Sequence, residues 1–418
     1  SLKEDIVKNQ IKILVICDHF ALYNLNKDIN FFIKKKIKIV RASTNKDVKE
    51  HGFIIEKPFR DFSFEEIFFR NTLKVEHKSI NKIFTSKKIL VTGGAGSIGG
   101  ALVKKILKFD IKKIYVLDNS EYNIFRFKIH NENKKSFNKV KFIVSNIENI
   151  TNLSNNISQI KPDIIFHAAA LKHVGFLEDN IKQGIYTNII GTRNILKASV
   201  ENKVKYFIHV STDKAAYPKN ILGMTKLISE YVCHSFSNKN TQIGIVRFGN
   251  VFNSNGSVAE IFKMKMLNAQ KIKISHPKVE RYFMSDVEAS NLIISAFKIL
   301  NINKNKNTSN SRLFICDMGK PINILDLARK MIFLSGRSPA NFLATKFYGL
   351  GQVEKMTEKL VSINEKIINK IENDHILELG RKKNKINIRE IEKILKYNLS
   401  NKILKKKLEK ITISLINK

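Results

Sequence analysis

KKILVTGGAGSIGGALVKKILK, Lys87 to Lys108, decides the fold. The apolar run Ile89–Leu90–Val91 reads as a short strand. Apolar residues then return at Leu102, Val103 and Ile106 with helical spacing. Between them stand glycines at 93, 96 and 99. In a strand–turn–helix unit, Gly93 permits the tight turn, Gly96 lets the backbone approach a pyrophosphate, and Gly99 allows close packing of helix on strand. The phosphates would sit at the amino end of the helix, beside Ser97 and Ile98.

Working outward, the same rhythm recurs in KKIYVLDNSE, KVKFIVSNI, KPDIIFHAAA, VKYFIHVSTDK and TQIGIVRFGNV. Each is a short apolar strand, and most are separated by helical patterns, so the alternation predicts a doubly wound parallel sheet. Asp118 ends the second strand, 19 residues after Gly99, where a carboxylate accepts both ribose hydroxyls and repels a 2′-phosphate. NAD is therefore favoured over NADP, with Asn119 beside the ribose. Asn146 and Ile147 are candidates against the adenine, and the small Ala168, Ala169 and Ala170 would let the cofactor backbone pass. His167 reads as a satisfied structural histidine.

The 418 residues carry a formal charge of +37, but the basic residues are mostly scattered lysines, in a composition rich in Asn, Ile and Phe. No aromatic-plus-basic motif accompanies them, so no specific nucleic-acid partner is expected. Cys17, Cys233 and Cys316 share no metal-ligand spacing, so no metal site is implied. No apolar run approaches the roughly 18 residues that span a bilayer. A partial α/β unit, with strands in IKILVICD and IKIVRAS, and a connector precede residue 81. Residues 81–345 read as the catalytic domain, with a dinucleotide half at about 87–250 and a smaller mixed α/β substrate part at about 251–345. Residues 346–418 read as a lysine-rich helical region.

The glycine loop, LDNSEYN, HAAALKHV, TNIIGT, STDKA, VRFGNV, NGSV, HPKVERYFM and DMGKPINILDLARKMI occur in order over about 270 residues. Together they resemble the extended short-chain dehydrogenase/reductases, which have a Rossmann-type sheet. Within these they are most similar to the membrane-associated nucleotide-sugar 4,6-dehydratases of bacterial polysaccharide synthesis. The resemblance implies a UDP-sugar substrate, most of all UDP-N-acetylglucosamine, and tightly bound NAD. It also implies a homodimer or higher homo-oligomer, and a cytoplasmic location, at the inner-membrane face if an upstream membrane segment is present.

By the same resemblance, Thr212 would bind the C4 oxygen, Asp213 would protonate the departing C6 hydroxyl, and Lys214 would remove the C5 proton. Lys226 would hold the nicotinamide ribose. Leu222 stands four residues before Lys226, where the wider superfamily has a tyrosine, and Tyr217 is too far upstream to replace it. Lys172 and His173 would line the sugar pocket, and Arg247, Asn250, Ser257 and Arg281 would meet the diphosphate and uridine. Gly351-Gln352-Val353-Glu354-Lys355 replaces the family's RPGEK, and Gly175 replaces the proline after KHV. A C5-inverting dehydratase, a UDP-sugar 4-epimerase and a non-catalytic NAD- or UDP-sugar-binding scaffold stay open as alternatives.

Overall fold

The computed structural model describes residues 2–16, 31–32, 35, 37–41, 68, 76–236, 240–252, 254–302, 311–335, 337–371, 376–381, 384, 386–397 and 399–417. Cys17 and most of the expected connector lie outside them.

Nine strands form one sheet: β1 (Lys88–Thr92), β2 (Lys113–Asp118), β3 (Val140–Val144), β4 (Ile164–His167), β5 (Tyr206–Thr212), β6 (Gln242–Phe248), β7 (Arg312–Cys316), β8 (Glu365–Ile371) and β9 (Ile376–Arg381). Their order is β8-β9-β7-β6-β5-β4-β1-β2-β3. From β3 to β7 every pairing is parallel. The order reverses between β1 and β4, and the carboxyl ends on either side of that switch open a crevice. Central strands such as β4 are buried along their length, as expected where helices cover both faces.

The helices that matter to the site are α1 (Ser97–Ile106), α2 (Glu121–Ile129), α3 (Ile150–Ile160), α4 (Thr192–Glu201), α5 (Ile221–Ser235), α6 (Asp286–Ile302) and α7 (Asn401–Asn417). One large core joins Leu90, Ile165, Phe207 and Ile245 from the sheet to Ile195 and Leu196 of α4 and to Ile228 and Val232 of α5.

The region after Gly349 departs from the helical expectation. It supplies the antiparallel pair β8 and β9, with β9 running antiparallel to β7. Its lysines had hidden the strand pattern. Arg312 of β7 donates to both carboxylate oxygens of Glu378 of β9, at 2.7 and 2.7 Å, which helps hold the added strands. Leu404, Leu408, Ile411 and Leu415 of α7 then join the core that surrounds α5.

The chain divides differently from the expected boundaries. Residues 73–254, 284–319 and 358–418 make one compact unit; residues 1–72, 255–283 and 320–357 make the other. In the latter, Ile13–Ile16 pairs in parallel with Lys38–Arg41, giving the expected α/β unit. Ile6, Phe32 and Ile37 bury against Phe333, so this early segment shares a core with a helix far along the chain.

Candidate functional site

Gly93 adopts φ +63°, the left-handed region open to glycine. A Cβ there would lie 2.7 Å from the backbone of Ala169, and one on Gly99 would overlap the carbonyl oxygen of Gly93. Gly96 is the N-cap of α1 and makes no side-chain capping bond, and the positive end of the helix dipole faces the glycine loop. Asp118 ends β2; its carboxylate accepts from the amides of Ala95 at 3.2 Å and Ser120 at 3.1 Å, which aims it across the glycine loop. Asn146 closes its own turn by accepting from the Glu148 amide at 2.9 Å. A backbone cradle that side chains would fill, an uncapped helix start and a tethered carboxylate fit a dinucleotide.

His167 is buried, with Nδ1 at 2.7 Å from the Thr92 hydroxyl and Nε2 at 3.0 Å from that of Thr192. Burial, and then the charge of Lys226, hold its pKa down to about 3, so it is a neutral structural group.

The second half of the site follows β5. Thr212 donates to Asp213 Oδ1 at 2.9 Å, and Lys214 Nζ donates to the same oxygen at 3.1 Å and to Asn250 Oδ1 at 3.1 Å. Asp213 is 0% exposed, and its Oδ2 has no hydrogen-bond partner among the described residues. A buried carboxylate oxygen without a donor is costly unless something else uses it. The turn packs against the start of α5 at Gly223, where a Cβ would sit 2.6 Å from the Lys214 carbonyl oxygen.

Lys226, 4% exposed, donates to the Val210 carbonyl at 2.6 Å and lies 3.2 Å from His209 Nε2. Burial lowers its pKa to about 8, with the charge of Glu230 opposing the shift. Leu222 is 6% exposed within the main core, so the position expected for a tyrosine carries packing. Tyr217 lies instead with its ring 5.1 Å from the Lys359 ammonium.

Of the expected substrate residues, Asn250 joins the Thr212–Lys214 turn, while Lys172 and His173 are exposed just beyond the carboxyl end of β4. Arg247 does not fit its expected role. It is fully buried, and its guanidinium makes four bonds of 2.7–2.8 Å to Glu230 and Glu365, so it is a core cation with no face for a diphosphate. Ser257 caps the helix Val258–Leu267 and Arg281 donates to the carbonyls of Glu280 and Met356; both belong to the other compact unit.

Asn188 was missed. It grips Leu171 by both amide and carbonyl, at 2.9 and 3.1 Å, and donates to Thr225 of α5, so it fixes the loop that presents Lys172 and His173. Its only sequence signal was its place in TNIIGT.

A dinucleotide cradle at the switch point and a Thr-Asp-Lys turn on the next strand define a Rossmann-type protein of the short-chain dehydrogenase/reductase class. The profile of the family described as polysaccharide biosynthesis protein matches residues 89–379, and the chain belongs to that family. It is 36% identical over 306 residues to the capsular polysaccharide biosynthesis protein CapD of Staphylococcus aureus, covering 72% of this chain and 49% of that one. The chain spans about half the length of the curated relatives it matches first. Among solved structures, Pen from Bacillus thuringiensis aligns with a TM-score of 0.62 at 29% identity, covering 76% of this chain and 99% of that chain. DesIV of Streptomyces venezuelae, a dTDP-glucose 4,6-dehydratase solved with NAD, shares the fold at a TM-score of 0.57 and 17% identity, over 66% of this chain and 88% of that chain. No described helix is long and apolar enough to cross a membrane.

Proposed function

We propose that the chain is an NAD-dependent 4,6-dehydratase of a UDP-N-acetylhexosamine, with UDP-N-acetylglucosamine as the favoured substrate, in polysaccharide synthesis. The observation that carries this reading is the Thr212–Asp213–Lys214 turn. It gathers a hydroxyl, a carboxylate and an amine within hydrogen-bond reach and leaves Asp213 Oδ2 buried and, among the described residues, unpartnered. An epimerase has no use for an elimination acid and base.

Gly93, Gly96, Ser97, Ile98 and Gly99 would hold the cofactor pyrophosphate, Asp118 and Asn119 its adenosine ribose, and Asn146, Ile147 and Ala168–Ala170 its flanks. When bound, NAD supplies a reversible hydride acceptor. Thr212 would orient the C4 oxygen, with the Lys226 ammonium favouring loss of its proton. Lys214 Nζ would take the proton from C5 as the C6–O bond breaks. Asp213, entering the step protonated on Oδ2 with Lys214 neutral, would give the departing oxygen its proton, so that it leaves as water. Return of the C4 hydride to C6, with re-protonation of C5 by Lys214 in retained configuration, would complete the 4-keto-6-deoxy product. Lys172, His173 and Asn250 would line the sugar side.

The test is proton NMR of UDP-N-acetylglucosamine turned over in heavy water. The expected product is a 6-deoxy-4-keto sugar carrying deuterium at C5. A galacto product would replace this reading with a 4-epimerase, inverted C5 would replace the stereochemistry, and tight NAD binding without turnover would leave a scaffold.

A further inference from the structure

Three consecutive residues of β5 ahead of the catalytic turn are tied to side chains of α5. His209 lies 3.0 Å from the Ser229 hydroxyl, Val210 accepts from Lys226 at 2.6 Å, and Ser211 donates to Glu230 Oε1 at 2.6 Å. Glu230 follows Lys226 by one helical turn, so the two side chains share the face of α5 that meets the strand. Glu230 is in turn held by two arginines. Arg247 of β6 donates to both of its oxygens, and Arg381 of β9 reaches Oε2 at 2.8 Å and the Glu230 carbonyl at 3.1 Å.

Arg247 also forks onto Glu365 of β8, whose Oε2 accepts from the Ser362 amide at 2.8 Å. Two arginines and two glutamates thus balance in charge, and each carboxylate oxygen has a donor. Burial opposes ionisation of Glu230, but Arg247, Arg381 and the Ser211 hydroxyl outweigh it and hold its pKa below the usual range. Such a buried set is weak evidence of added stability, because desolvation offsets the attraction. Its bidentate forks fix the relative geometry of the side chains they join.

We propose that Glu365 and Arg381, brought by the β8–β9 hairpin, are positioning residues for the catalytic turn, acting through Arg247, Glu230 and Ser211 on the strand end that carries Thr212, Asp213 and Lys214. This rests on the dehydratase reading for its catalytic consequence. Residues about 150 positions downstream of the turn thereby help to set its place. The tie to Ser211 is one residue from Thr212, so a slip at Glu230 passes directly to the hydroxyl that fixes Asp213 Oδ1.

The test compares the full chain with Glu365→Gln and Ser211→Ala by hydrogen–deuterium exchange and by kinetics on UDP-N-acetylglucosamine. Glu365→Gln is expected to raise deuterium uptake over residues 206–216 about two-fold while leaving residues 88–118 unchanged. It should lower kcat about ten-fold with KM within about two-fold. Ser211→Ala should move both readouts the same way but less, with a measurable rise in uptake over residues 206–216 and kcat lowered about three-fold. Unchanged uptake at 206–216 in both variants, with kcat within about two-fold, would overturn the proposal. If Glu365→Gln does not fold, the milder Ser211→Ala decides alone. If the unaltered chain gives no turnover, that counts against the dehydratase reading, whereas the exchange result still decides the positioning role.

Discussion

Two buried polar clusters meet at the end of β5 and are built on opposite principles. On one side, Glu230, Arg247, Glu365 and Arg381 form a closed set whose charges cancel and whose carboxylate oxygens all have donors. On the other, Thr212 and Lys214 crowd two donors onto one oxygen of Asp213, and the second has no partner among the described residues. A complete network has nothing left to offer a ligand; an incomplete one does. This separates Arg247 from Asp213, although the sequence presented both as site residues on adjacent strands.

The sharpest way to break the contrast is to damage the closed cluster. Arg247→Met leaves two buried carboxylates facing one arginine, and the protein should lose about 3–5 kcal/mol of stability in denaturant unfolding. Adding Glu365→Met should recover part of that loss; a double variant no more stable than the single would mean that the charges do not act as a set.

Damage to the open cluster should do the reverse. Asp213→Asn is expected to lower dehydration about 100- to 10,000-fold while moving the unfolding free energy by less than about 1 kcal/mol. Full activity in this variant would remove Asp213 from the mechanism. Leu222 belongs with the core, so Leu222→Ala should cost about 2–5 kcal/mol of stability with NAD-supported chemistry largely retained in the folded fraction. A rate loss of several orders of magnitude with the fold intact would contradict that assignment.

The smallest effect concerns pH. Burial holds Lys226 down to about 8, below its ordinary value, so between pH 8 and the unfolded value near 10.5 the unfolded chain binds the extra proton. Stability of the cofactor-free protein from this group should therefore rise with pH in that window, by about 1 kcal/mol per unit. In Lys226→Met that slope should vanish from urea titrations at pH 8 and 9. An unaltered slope would show that the lysine is not desolvated.

Much of the site was legible because its chemistry is local. The glycine loop carries its meaning in a few consecutive residues, each with a steric reason, and Gly93 and Gly99 sit where a side chain would strike backbone. Thr212, Asp213 and Lys214 are neighbours in sequence, so their proximity needed no fold. Arg247 was misread because an arginine beside a strand end looks the same whether it faces a phosphate or two glutamates, one of them 118 residues away. The hairpin after residue 364 was missed because its lysines mask a strand pattern, and its partner strand β7 is distant in the chain.

By itself, then, the sequence determined the alternation of strands and helices and the glycine cradle, which rest on spacing within one unit of structure, while the Thr212–Lys214 turn was singled out by resemblance to a known family. Tertiary structure alone decided which charges close on one another and which stay open, because hydrogen-bond satisfaction depends on groups brought together from β5, α5, β6, β8 and β9. It also decided that the C-terminal strands belong to the same sheet as the site, since strand pairing is a long-range contact that no local pattern encodes.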